Sequence, residues 1–424
     1  MTRGHLFAIV CLISAASAQT PARLTLAEAE QMALRNPKVR SAALTAEAAR
    51  AATGEVRAAL YPQVAASFTS VGADHDSTLA AGTVQTSSLY SRVASGMTLN
   101  QLITDFGRTA GLAASAQLRA AAQQHSAAST RAMVVEAVDR AYYQALGAQS
   151  VLQIARAVLE NRRLTLRQVR ALAESSLKST LDVSFAEVAV SEAELALVRA
   201  ENGVKAGQAR LAAALGRSQT EHFELTDEPL PPALEPDPET LVAQALRQRP
   251  DLAAMESNSA AAHRFAEAEA ALSRPSISVV GVAGGLPATD PHLRGNYSAA
   301  GVNVSIPVLN GKLYAARRRE AELRSQAADQ DVEELEVEVA EQVRLAWLDA
   351  DTAFRALEVT ARLVAQAEQS LRLAQIRYDN GLGSIVELNQ AQVSQVAAEI
   401  AAASARYEYL GKRAALEFAA GGLQ

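Results

Sequence analysis

Histidine, cysteine and clustered carboxylates are where chemistry would be sought, and in this chain they are dispersed. His75, His125, His222, His263 and His292 share no metal-ligand spacing, and no H-E-x-x-H, Walker or nucleophile-elbow motif occurs anywhere in the chain. Asp74-His75-Asp76 comes nearest to a metal set, but it sits in a polar loop and reads as surface decoration. No catalysis, metal or cofactor is expected. The acidic residues that stand out instead occupy two matching turns: Ser176-Leu177-Lys178-Ser179-Thr180-Leu181-Asp182 parallels Gly381-Leu382-Gly383-Ser384-Ile385-Val386-Glu387, 205 residues further on. Ser179 with Asp182, and Ser384 with Glu387, fit S-x-x-[DE] capping boxes, and Gly381 suits the left-handed residue that ends a helix. A carboxylate repeated around a symmetric pore would also favour cations and repel anions.

The elements that must position these turns are long. From Val332 to Ala374 the apolar residues advance in a mean step of 3.5, the period of helices supercoiled left-handedly on a partner. No proline interrupts the chain after Pro307, so residues 311–377 read as one helix, about 100 Å long at about 1.5 Å per residue. A second proline-free helix is expected over about 107–173, and shorter ones follow the two turns, over about 181–215 and 386–420. The seam is mostly Ala and Val, and hydrophobic residues make up 49% of the chain with aromatics at only 4%, which suits coiled helices and not a thick mixed core.

Two stretches change period. Residues 64–73 and 89–102 flank a polar loop, and residues 276–284 and 298–308 flank a Gly/Pro-rich one. Val302, Val304, Ile306 and Val308 alternate with Gly301, Asn303, Ser305 and Pro307, the two-residue period of a strand with one apolar face. Pro37 recurs as Pro250 and Pro62 as Pro275, both 213 residues on, so the chain reads as a duplication: residues 19–216, a Pro-rich linker 217–238, and residues 239–424.

Residues 1–18 read as a secretory signal, with Arg3 in the positive end, an apolar run from Leu6 to Ala15 holding the only cysteine, Cys11, and an Ala16-Ser17-Ala18 cleavage site. After it no apolar run of 18 residues occurs, so any membrane crossing must be made by strands. The formal net charge of −6 argues against a nucleic-acid partner. Strands of about ten residues can cross a bilayer, but four cannot close a barrel; two copies would give eight strands and three would give twelve, with a lumen. Arg317-Arg318-Arg319, just after the last strand, reads as a solvated helix start, with anionic headgroups as the alternative partner.

At this point the residues resemble the TolC-like outer-membrane efflux protein family. The resemblance rests on Leu24-Thr25-Leu26-Ala27-Glu28-Ala29 with Asn36-Pro37, on Tyr61-Pro62-Gln63-Val64, on the paired strands and on the turn Gly381 to Leu388, and it covers essentially the whole mature chain. It implies a mainly α fold, with long coiled hairpins forming an α-barrel continuous with a twelve-stranded β-barrel made by a homotrimer in outer-membrane lipid. It further implies a passive exit duct, working with a periplasmic adaptor (membrane fusion) protein and an inner-membrane pump or ABC transporter. By the same resemblance Glu387 and Gln390 lie at the periplasmic constriction, and Tyr378 bonds to the facing hairpin near Asp182. Gly383 stands where an arginine often adds a closing link, and Gln390 where a second acidic ring is often found, which implies a weaker lock and a weaker cation block. The rival expectations are a periplasmic adaptor, which would carry one hairpin between β-rich halves, and a structural coiled-coil protein without a pore.

Overall fold

In the computed structural model the described residues are 22–71, 78–81, 84–88, 92–218, 223–234, 237–285 and 295–423. The N-terminal signal-like segment, His222, His292 and Asp74-His75-Asp76 lie outside them. The elements in order are β1 (Ala22–Leu24), α1 (Leu26–Ala33), α2 (Pro37–Ala58), β2 (Gln63–Val71), β3 (Thr78–Ala81), β4 (Val84–Ser88), β5 (Arg92–Thr104), α3 (Arg108–Glu174) and α4 (Thr180–Ala214). They continue as β6 (Phe223–Leu225), α5 (Glu239–Gln248), α6 (Pro250–Ala270), β7 (Ser276–Gly285), β8 (Asn296–Ser305), α7 (Leu313–Asp379) and α8 (Ile385–Ala419). The order α–α–β–β–α–α thus occurs twice, and α3 and α7 each have 67 residues while α4 and α8 each have 35. The polar loop expected between the first two long strands carries the small antiparallel pair β3–β4.

The chain forms two compact units. One takes its described residues from Met1–Asn36, Val134–Leu234 and Asp349–Ala415, the other from Pro37–Met133, Glu235–Leu348 and Leu416–Gln424.

In the second unit the strands form one antiparallel sheet in the order β2-β5-β7-β8. Register fixes which residues share a face, because side chains alternate along each strand. Val64 pairs with Leu99, Ala66 with Met97, Met97 with Ala283, Val279 with Val302 and Ile277 with Val304, so these residues form one apolar face. The other face carries Gln63 opposite Asn100, Ala65 opposite Thr98, and Ser278 opposite Asn303. The apolar face is bare: Phe68 is 72% exposed, Val302 66% and Val304 53%. On the polar face Gly96, Gly284 and Tyr297 stand in one cross-strand row, and a Cβ on either glycine would collide with the tyrosine hydroxyl. The ring occupies the space that the two missing side chains leave.

Around this sheet the helices are tied by polar pairs. Arg249, at the junction of α5 and α6, is buried and binds Asp251 through two bonds and Gln342 of α7 at 2.8 Å. Burial opposes ionisation of Asp251, but the hydrogen bonds and charge of Arg249 prevail and hold its carboxyl below the usual range. Arg317 pairs with the buried Glu269 at 2.8 Å, and Arg318 with Glu322 at 2.7 Å. The basic run is therefore anchored to the protein's own carboxylates.

In the first unit β1 pairs in parallel with β6, which lies inside the Pro-rich segment 217–238 that the sequence presents as a linker. Gln208 makes this strand possible by acting as a neighbour: its amide donates to the Phe223 carbonyl at 2.8 Å and accepts the Phe223 N–H at 3.0 Å. Tyr142 of α3, fully buried, shares its hydroxyl hydrogen between the carbonyls of Leu24 and Thr226, each at 2.8 Å. Burial pushes this phenol up to about 12. Tyr142→Phe is expected to cost about 1–3 kcal/mol, the penalty for leaving buried acceptors without a donor. The sign in pH follows from the raised value. The tyrosine's contribution is complete below about pH 10, where the unfolded phenol titrates, and is lost as pH rises towards about 12. Alkaline denaturation of the wild type and the Phe variant should therefore converge in that window; a constant gap through it would refute the assignment.

Candidate functional site: the helical tip

The two turns that join α3 to α4 and α7 to α8 come together in the first unit. Each ends its long helix in the same way. Leu177 N–H reaches back to the Leu172 carbonyl at 2.9 Å and Ser176 N–H to Ala173 at 2.9 Å; Leu382 N–H reaches Arg377 at 2.8 Å and Gly381 N–H reaches Tyr378 at 3.1 Å. This is the paired pattern of a Schellman ending, which needs one left-handed residue. Gly381 supplies it at φ 69°, whereas at the first turn Ser176 is held there at φ 60°. A side chain is unfavourable at that angle. Ser176→Gly is accordingly expected to stabilise the protein by up to about 1 kcal/mol, read as a higher thermal midpoint; a drop would contradict the account.

The starts of the short helices differ. Ser179 and Asp182 make a complete capping box, with Asp182 accepting the Ser179 N–H at 2.9 Å and Ser179 Oγ accepting the Asp182 N–H at 3.2 Å. At the second turn only half the box forms: Ser384 Oγ accepts the Glu387 N–H at 3.2 Å. The Glu387 carboxylate turns away to Arg377 Nε at 3.0 Å, and the same guanidinium donates to the Leu382 carbonyl at 3.1 Å. Gly383 permits this crossing, since a Cβ there would lie 3.2 Å from Arg377 Cβ and 3.3 Å from Glu387 Oε2. The guanidinium that Gly383 itself cannot supply is thus provided by the last turn of α7.

Tyr378 is 4% exposed and packs in an apolar cluster with Val169, Ala186, Ile385 and Leu388. Its hydroxyl is buried without a hydrogen-bond partner. Burial, with the charges of Asp182 and Asp379, holds its proton above the usual tyrosine range. Asp182 is near enough to be felt, but its carboxylate is spent on the Ser179 cap. The link between hairpins is made by Lys178, whose ammonium sits 3.7 Å over the Tyr378 ring and donates to the Tyr378 carbonyl at 3.3 Å. Sequence reasoning missed Lys178 as the linker between hairpins and Arg377 as the partner of Glu387. The signal lay in the duplication itself, where Lys178 occupies the position that Gly383 takes in the second repeat.

Glu387 and Gln390 lie on the exposed side of α8, three residues apart and hence on one face. They present to solvent a carboxylate paired with Arg377 and a neutral amide. Among the described residues no group of three His, Cys, Asp or Glu could hold a metal ion. Elsewhere, Ser259 and His263 both bind Asp329, at 2.6 and 2.9 Å, so the carboxylate joins α6 to α7.

The arrangement can be set beside known proteins. A family model described as outer membrane efflux protein matches residues 29–217 and 241–422. Protein CyaE of Bordetella pertussis is 29% identical over 392 residues, covering 87% of this chain and 78% of that protein. Among solved structures, the outer-membrane channel OprN superposes with a TM-score of 0.81 at 22% identity, over 94% of this chain and 90% of that one. CusC gives 0.79 at 20% identity, over 93% and 92%. The open state of the MtrE outer membrane channel of Neisseria gonorrhoeae gives 0.77 at 22% identity, over 94% and 89%. With that family model matched over most of the chain, the chain belongs to the outer membrane efflux protein family.

Proposed function

We propose that the chain is one third of a homotrimeric duct, in which three four-stranded sheets close a single twelve-stranded barrel and the helices continue as a periplasmic tunnel. The observation that carries this reading is the sheet β2-β5-β7-β8. Its strands of 9, 13, 10 and 10 residues are long enough to cross a bilayer when tilted. One face is apolar and exposed, the other polar, which is the alternation of a barrel with lipid outside and water inside. Its outer strands β2 and β8 are both open edges, which lipid does not tolerate. Further copies must pair with them.

The helices support the same assembly. Leu181, Val188 and Leu195, seven residues apart, form an exposed apolar stripe on α4, and Val359, Leu363, Leu373 and Ile376 stand exposed on α7. Stripes on different helices that cover one another between copies make a head-to-tail interface, which closes into a ring. The doubled element order and the doubled Schellman ending support an internal duplication, with residues 19–216 and 239–424 as its halves.

In this reading the tip is the narrow periplasmic end. Glu387 recurs three times around it and favours cations, Gln390 adds no second charge, and Lys178 holds the two hairpins together. The duct does no chemistry and uses no cofactor. It passes cargo, small molecules or protein, delivered by an inner-membrane pump or ABC transporter through a periplasmic adaptor. Unheated electrophoresis of outer-membrane fractions tests the assembly: a trimer band is expected, and Leu181→Lys with Val188→Lys and Leu195→Lys should leave monomers. A monomeric wild type in the soluble periplasm would instead support an adaptor-like or purely structural coiled-coil protein.

A further inference from the structure

Twelve residues before the end of α3, Arg162 enters the interior of the helical unit, where it is only 7% exposed. A guanidinium stays charged when buried, so the cost of removing it from water must be met by acceptors or by an opposite charge. Arg162 receives little of either. Burial lowers its hold on its proton, and the one charge opposing this is Glu192, which acts at a distance without a hydrogen bond. Its neighbours are neutral amides: Asn161 of α3, and Asn389 and Gln392 of α8. Gln392 is itself 7% exposed, and Asn389 Oδ1 is buried without a partner.

Arg162, Asn161 and Gln392 border a cavity of about 120 Å³ between α3 and α8, whereas Asn389 borders, with Arg162 and Gln392, only a much smaller void shared with α4. The larger cavity exceeds the space one water needs. One carboxylate lies on its lining, Glu399, and that side chain is engaged by the Gln395 amide at 2.8 Å.

We propose that Arg162, Asn161 and Gln392 form, in the larger cavity, a site for a small monovalent inorganic anion such as a halide. The guanidinium supplies the charge and the directed N–H groups. Asn161 and Gln392 offer side-chain amide donors beside it. Glu399 on the same lining disfavours a dianion such as sulfate. The bound ion neutralises the charge of Arg162 and ties α3 to α8 above the tip. Nothing in this requires the assembly described above, since every group belongs to one chain.

Crystals of the full-length protein grown with sodium bromide are expected to show an anomalous peak beside Arg162. In detergent, the thermal midpoint should be about 2–4 °C higher in sodium chloride than in sodium gluconate at equal ionic strength. Arg162→Gln should remove that difference while keeping the same oligomer. The absence of a bromide peak, together with equal midpoints in the two salts, overturns the proposal. If Glu399→Gln then lowers the midpoint as much as Arg162→Gln does, Arg162 is satisfied by Glu399 directly.

Discussion

Val302→Arg with Val304→Arg is expected to abolish accumulation in the outer membrane, while Asn303→Arg between them leaves it nearly intact. The three residues are consecutive on β8 and all are exposed in the single chain, so exposure does not distinguish them. Face does. Val302 pairs with Val279 and Val304 with Ile277, on the apolar side; Asn303 pairs with Ser278 on the polar side. An arginine facing lipid near the bilayer centre costs about 2–4 kcal/mol, so the pair costs about 4–8 kcal/mol, a large share of a typical total stability of about 5–15 kcal/mol. An arginine facing a water-filled lumen costs little. The amount of heat-modifiable trimer in outer-membrane fractions measures the difference. Equal tolerance of all three substitutions would mean that β8 does not face lipid.

The second large effect is expected at the tip. Lys178→Met should raise the open probability by about tenfold. Arg377 and Glu387 are each about half exposed, so their ion pair is screened, contributes about 0.2–1 kcal/mol and closes only its own hairpin. Lys178 is the link between hairpins, because its ammonium lies on a nearly buried ring, where such contacts reach about 2 kcal/mol, and also bonds the Tyr378 carbonyl. These contacts are worth about 1–2 kcal/mol, and each 1.4 kcal/mol changes an equilibrium about tenfold. Glu387→Gln acts on selectivity instead. With Gln390 neutral, Glu387 carries the acidic ring alone, so its loss should lower cation preference; an unchanged reversal potential in asymmetric salt would sink that assignment. If Lys178→Met conducts like the wild type, these contacts do not hold the tip closed.

Much of this was legible in the sequence because the physics is local and repeated. The 3.5-residue step through Val339, Val343, Ala350, Ala353, Ala367 and Ala374 marks residues that are buried in the structure. The alternation in β8 likewise marks a real strand with two unlike faces. What stayed hidden depended on residues far apart in sequence. The three residues of β6 carry no strand signal of their own; they pair with β1 because Gln208 and Tyr142 supply hydrogen bonds from other elements. At the tip, Ser384-x-x-Glu387 has the spacing of a capping box, but Arg377 outbids the backbone for the carboxylate. The orphaned Tyr378 hydroxyl could not be read at all, since it depends on Asp182 being consumed by its own cap.

The central claim, that this chain makes a duct with a partly closed acidic tip, is tested most directly by single-channel recording of the purified protein in a planar bilayer with asymmetric salt. The account predicts stable, low-conductance, cation-preferring steps. A folded sample that neither inserts nor conducts would contradict it, and the barrel would have to be withdrawn.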